Sequence, residues 1–266
     1  MAKIVRTRPL RCLLAALVAT LVLAGSTACE PPRQPAKDRV VLLVHGWSLT
    51  GGIDCDSAFG SLKSALRARG FTGAFVTVGF YTGDTNCDLN LRSLDGSVTN
   101  DTPWKNLAMV FSHYVYDRYT SRNVPVDIVG HSMGGLIARA ALQGTSTGAP
   151  NFSAPLRVED LVTIGTPHAG AAWFTQLCFW GQCEQLKEGA SDIQWLATTP
   201  NPQGLTGTDT TVIGSTADDV VPDWSAISMW VPDERKAVFS DIEHDDYQRT
   251  PAAQDRIAQA LTYVDR

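Results

Sequence analysis

Two hundred and sixty-six residues, 44% hydrophobic and 18% charged, suit one α/β domain or two and exclude a disordered chain or a fibrous repeat. The 22 basic and 27 acidic side chains leave −5, and four of the basic ones (Lys3, Arg6, Arg8, Arg11) fall within residues 1–28, where there is no acid. Without that stretch 18 basic side chains face 27 acidic ones and no basic cluster remains, which argues against nucleic-acid binding.

Residues 1–28 read as a signal peptide: a basic start, the apolar stretch Leu13–Leu23, then the small residues Ala24, Gly25, Ser26, Thr27 and Ala28. The apolar stretch is too short to span a bilayer, which takes ~20 residues. Ser26-Thr27-Ala28 suits signal peptidase, so the chain is expected to be secreted. Cys29 directly after it leaves open a lipoprotein in which Cys29 carries the lipid, although such motifs favour a Leu-like residue where Ser26 stands. Residues 29–38 form a Pro-rich tether, and 39–266 read as a single domain. In an oxidising compartment Cys55, Cys87, Cys178 and Cys183 allow three pairings; the local one, Cys55–Cys87 with Cys178–Cys183, is the expectation. No cysteine or histidine spacing resembles a zinc site, so no metal is expected.

Apolar runs of strand length then alternate with amphipathic helical stretches. Arg39–Val44 predicts a buried strand, and Asp56–Arg69 a helix with Phe59, Leu62 and Leu66 on one face, stopped by Gly70. Ala74–Phe80 predicts a strand running into a polar loop with Cys87. Thr102-Pro103 predicts a cap and a first-turn proline, ahead of a stripe of Leu107, Val110, Phe111 and Tyr114. Further strands are expected at Val126–Val129, Leu161–Ile164, Thr211–Gly214 and Ala237–Phe239. Thr250-Pro251 opens a last helix with Ile257, Leu261 and Val264. The alternation predicts a mostly parallel sheet of about six strands, covered by helices on both faces.

The chemistry concentrates at Gly130-His131-Ser132-Met133-Gly134, a G-x-S-x-G between a β-rich run and a helix former. A serine at such a turn occupies a strained backbone conformation, which glycines two before and two after accommodate. The turn presents its hydroxyl at the positive end of the next helix. A hydroxyl becomes nucleophilic only when a base takes its proton, and a carboxylate must orient that base. Asp218 and Asp219 follow the strand at Thr211–Gly214, and His244 follows the strand at Ala237–Phe239 as the only histidine after His168. The order Ser132, acid, His244 is that of α/β-hydrolases. Asp218-Asp-Val-Val-Pro222 resembles the D-x-x-V-P acid loop of many such esterases, which selects Asp218 over Asp219. Glu243 and Asp245 read as surface acids, and His45, His113, His131 and His168 as structural. Developing negative charge on oxygen needs donors, and the backbone amides of Trp47, in Val44-His45-Gly46-Trp47, and of Met133 are expected to supply them.

With these pieces together the chain resembles the secreted bacterial lipases and esterases of the α/β-hydrolase superfamily. The matching motifs are V-H-G-W at 44–47, G-H-S-M-G-G at 130–135, G-T-P-H-A-G at 165–170, S-T-A-D-D-V-V-P at 215–222 and E-H at 243–244. The resemblance implies an α/β-hydrolase fold with a small or absent lid, and a cofactor-free serine carboxylester hydrolase acting on acylglycerol-type esters. Its expected partners are a small-molecule or lipid ester and a lipid surface, and the chain is expected to be a monomer. A polyester depolymerase or acyltransferase would use the same three residues. A silent hydrolase fold serving as a surface binding module would be expected to break the array, and here every position is filled. Segment 171–208, with Trp173, Phe174, Leu177, Phe179, Trp180 and Trp195, departs from the compact members. It reads either as a small cap offering apolar side chains to an acyl chain, or as a loop packed on its own domain.

Overall fold

Seven strands carry the sheet in a computed structural model that describes residues 36–171 and 181–262. β1 (Val40–Val44) is five aliphatic residues whose side chains alternate between two layers, Val41 and Leu43 to one face, Leu42 and Val44 to the other. β2 (Phe75–Gly79), β4 (Val126–His131), β5 (Val158–Ile164), β6 (Asp209–Ser215) and β7 (Lys236–Phe239) occupy the expected positions. The additional strand is β3 (Leu89–Asn90), a two-residue edge pairing with β2. Nothing in so short a polar stretch announces a strand; the neighbouring edge alone defines it. All pairings are parallel, in the order β3-β2-β1-β4-β5-β6-β7.

Helices cover both faces. α1 (Cys55–Ala68) starts where the Asp54 carboxylate accepts the Ser57 amide at 2.9 Å, and it buries Phe59, Leu62 and Leu66. It shares a core with α7 (Pro251–Ala260), which contributes Ala253 and Ile257. On the opposite face lie α2 (Trp104–Arg118) and α3 (Met133–Ser146), with Leu107, Phe111, Leu136 and Ile137 buried against the sheet. The cap expected of Thr102 does not form. Pro103 takes the capping position without a side-chain bond, while the Thr102 hydroxyl accepts the Thr99 amide at 2.7 Å. At the other end of the chain Pro251 does open α7, although Thr250 donates its hydroxyl to Asp246 O instead of capping.

In segment 171–208, α4 (Gly181–Leu186) and α5 (Ser191–Ala197) are helical. Ile193 and Leu196 join the core beside α3, and Trp195 packs on it under the Lys105 ammonium, 4.0 Å from the ring centroid. This part of the segment is packed onto its own domain. Trp173, Phe174, Leu177, Phe179 and Trp180, like the leader, Cys29, the tether up to residue 35, Cys178 and Val264, lie outside the described residues. α6 (Asp223–Ala226) follows the acid loop after β6.

A sheet in this order has one place where successive connections leave in opposite directions, between β1 and β4, and a crevice opens there at the carboxyl ends of the strands. β1 runs out into His45-Gly46-Trp47 and β4 into Ser132, so the two key loops flank that crevice.

Candidate active site

Ser132 joins β4 to α3 with φ +52° and ψ −127°, a region L-residues seldom occupy. The strain is tolerated because the turn is locked from both sides: the Ser132 amide donates to Ile164 O at 2.9 Å, and Gly135 donates to Ser132 O at 3.0 Å. The flanking glycines are required by contact. A Cβ on Gly130 would stand 2.5 Å from the Gly135 Cα, and one on Gly134 2.3 Å from the Val44 carbonyl oxygen. Helix α3 is thereby drawn against the end of β1.

The structure brings Ser132, Asp218 and His244 together. His244 Nε2 lies 3.0 Å from Ser132 Oγ, and its Nδ1 lies 2.9 Å from Asp218 Oδ2 and 3.0 Å from Oδ1. The carboxylate can only accept, so Nδ1–H donates to it, and Nε2 faces the Ser132 hydroxyl. Asp218 is fully buried as a side chain. Burial opposes its ionisation, but the hydrogen bond from His244, with the Val221 and Val220 amides at 2.8 and 3.0 Å, holds the carboxyl below the usual range. Asp219, Glu243 and Asp245 are exposed.

Two further groups orient this array. The Tyr247 hydroxyl donates to Asp218 Oδ2 at 3.0 Å from a fully buried ring. His131 Nε2 lies 2.8 Å from the His244 carbonyl oxygen and must donate to it, with the two rings 4.9 Å apart. Burial, reinforced by repulsion from His244, pushes the His131 pKa down to about 3, so this ring stays neutral. In the sequence His131 reads as structural, and no motif marks Tyr247. The one available signal was that Tyr247 follows His244 by three residues, close enough for one turn to place both on Asp218.

The loop after β1 lies against Ser132, since a Cβ on Gly46 would stand 2.7 Å from Ser132 Cβ and 3.3 Å from its Oγ. Trp47 is half-buried beside it. Met133 is the first residue of α3, where amide protons find no acceptor within the helix. His45 is buried and bonded to Gly46 O and to Asp84. His113, on α2, pairs with Asn151 O, and His168 with the Thr163 hydroxyl.

Cys55 and Cys87 form a disulfide. Their sulfurs lie within 4.8 Å of a His45 ring nitrogen, a potential ligand group, but they are bonded to one another. Cys183 is disulfide-bonded as well, while its expected partner Cys178 is outside the described residues.

The parallel sheet and the strained serine at its switch point make this an α/β-hydrolase fold. The chain belongs to the family defined by the PGAP1-like alpha/beta domain, whose model matches residues 36–244. Among solved structures it is similar to phospholipase PlaB from Legionella pneumophila, at 14% identity and a TM-score of 0.60, covering 86% of this chain and 61% of that one. It is similar to the mature form of the Bacillus licheniformis lipase BlEst2, at 16% identity and a TM-score of 0.58, covering 88% of this chain and 96% of that one. It also resembles Aspergillus fumigatus lipase B, at 16% identity and a TM-score of 0.55, covering 85% of this chain and 53% of that one. This chain therefore spans somewhat over half the length of the phospholipase and of the Aspergillus lipase. None of the curated proteins matches it.

Proposed function

We propose that the chain is an exported serine carboxylester hydrolase of the lipase and esterase type, acting on acylglycerol-type esters. The observation that carries this reading is the imidazole of His244, which stands 3.0 Å from a hydroxyl on one side and 2.9 Å from a buried carboxylate on the other. Ser132 Oγ attacks the ester carbonyl carbon as its proton passes to His244 Nε2, and Asp218 stabilises the imidazolium. The negative oxygen of the tetrahedral intermediate is received by the Trp47 and Met133 amides. Collapse expels the alcohol, which takes the proton from His244 and leaves the acyl group on Ser132. Water then attacks the acyl-enzyme, giving its proton to His244, and the acid departs as Ser132 regains its proton. The chemistry needs no cofactor.

Lipid esters are favoured because lipases and a phospholipase share the fold, and because large apolar side chains stand exposed near the site in the chain. Leu49, two residues past Trp47, is 67% exposed; Trp224 and Trp230, after the acid loop, are 49% and 78% exposed. Such side chains suit contact with a lipid surface. Export rests on the 1–28 leader, with Cys29 as the residue that lipidation would use.

Ser132→Ala should abolish hydrolysis of p-nitrophenyl esters, lowering turnover by at least about a thousandfold. A fluorophosphonate should label the wild type at Ser132 and leave the variant untouched. A folded variant that keeps more than a few per cent of the rate rejects the assignment. Comparing soluble and emulsified esters of short and long chain, with product analysis, separates a lipase from an acyltransferase or polyester depolymerase.

A further inference from the structure

Asp84 lies on the loop between β2 and β3 and its carboxylate is fully buried. Four donors converge on it. Ile53 N reaches Oδ1 at 2.8 Å, while Phe80 N at 2.6 Å, Tyr81 N at 2.8 Å and His45 Nε2 at 3.0 Å reach Oδ2. The carboxylate thus joins the loops after β1 and β2 to the approach of α1. Burial works against its charge, yet His45 and these amides keep the carboxyl below its ordinary range. The Cys55–Cys87 disulfide and the bond from Cys55 N to Thr85 O at 2.9 Å tie the same loop to the first residue of α1.

The other face of His45 addresses the oxyanion loop. Its Nδ1 lies 2.8 Å from the Gly46 carbonyl oxygen, in a buried position with the ring on Phe80, centroids 4.3 Å apart. A carbonyl oxygen and a carboxylate can only accept, so both ring nitrogens donate and both carry protons while these bonds are made. A trans peptide is planar, with its C=O and N–H pointing in opposite directions. Fixing the Gly46 carbonyl therefore fixes the direction of the Trp47 N–H, on a loop that abuts Ser132.

We propose that the His45–Asp84 pair is a positioning element for the proposed hydrolysis, holding the Gly46–Trp47 peptide so that the Trp47 amide is already aimed at the developing oxyanion. This role rests on the function proposed above. Both side chains are buried, and the pair acts through one peptide plane. Preorganised donors stabilise a transition state because no reorientation is needed when the charge appears.

Asp84→Asn and His45→Gln in the full chain test it. Each should lower kcat on a soluble p-nitrophenyl ester by about 100-fold, the scale of a lost oxyanion donor, with KM changed less than about threefold. The affinity of a boronic acid, which forms a tetrahedral adduct on serine, should weaken in parallel with kcat/KM. A folded variant with kcat within about threefold of wild type overturns the proposal and leaves the hydrolase reading standing. A wild type without Ser132-dependent turnover overturns the hydrolase reading and this role with it. Should both variants fail to fold, the nitrogen resonances of His45 in ¹⁵N-histidine-labelled wild type decide. Two protonated ring nitrogens support the pair, and a neutral ring with a bare Nδ1 overturns it.

Discussion

At the scale of single residues, the site is organised by groups whose only task is to restrict others. Tyr247 donates one of the hydrogen bonds around Asp218, which also receives His244 and two backbone amides. Tyr247→Phe keeps the buried ring and removes only the hydroxyl. The carboxylate retains its remaining donors, so the loss should be about 1.5–3 kcal/mol of stability, as for a bond to a charged group. Thermal melts with esterase assays check this, and a variant as stable as wild type would show that the bond is not made in solution. Arg39 is a second such residue, at the opposite ends of the strands. Its guanidinium binds Asp127 at 2.8 Å and Asp160 at 2.6 Å, both nearly inaccessible. Burial, with Asp160 close by, drives the Asp127 carboxyl upward, and the Arg39 charge counters that. Arg39→Met should destabilise by about 3–5 kcal/mol, because two acids would remain buried without their cation. Denaturant titration measures it.

At the scale of elements, short-range instructions and long-range pairings contributed differently. The elbow is written within five consecutive residues, so strand β4, the strained Ser132 and helix α3 could all be recognised from Gly130 to Gly134. Helix α1 was legible from its stripe of Phe59, Leu62 and Leu66 and its glycine stop. β3 was not legible, because two residues become a strand only by lying beside β2. Helix α5 was not either. Its place comes from bonds made across the fold, Arg139 Nη2 to Leu196 O at 2.8 Å and Gln143 Nε2 to Trp195 O at 2.6 Å. The Cys55–Cys87 disulfide links residues 32 apart and fastens α1 to the loop that carries Asp84. Reducing it should cost about 2–4 kcal/mol of stability. Melting curves with and without a dithiol, compared against a Cys55→Ser/Cys87→Ser variant, check that value.

At the scale of the whole molecule, buried neutral histidines connect stability to pH. His131 is held neutral to about pH 3 by burial and by His244, and burial moves His168 the same way, beside Thr163. In the unfolded chain both would titrate near 6.5. As pH falls below that value the unfolded state takes up protons that the folded state refuses. Their contribution is therefore complete above pH 6.5 and declines as pH falls below it, for His131 down to about pH 3, by about 1.4 kcal/mol per pH unit for each histidine. His168→Gln should flatten the dependence of folding free energy on pH between 6 and 5 by about that amount. An unchanged slope would mean that His168 is charged in the folded protein.

The division between chain and fold follows from range. Ser132, His244 and Asp218 were readable from sequence because each sits just beyond a strand end, where a local motif and the order of elements suffice to name it. The alternation of apolar strands and amphipathic helices determined the parallel, doubly covered sheet in the same way. Tyr247 on Asp218, Arg39 between Asp127 and Asp160, and His45 between Gly46 and Asp84 were decided only by tertiary structure. Tyrosines, arginines and histidines of this kind occur throughout any chain. What distinguishes these is the acceptor facing them after folding, and in most of these contacts that acceptor lies tens of residues away in the sequence.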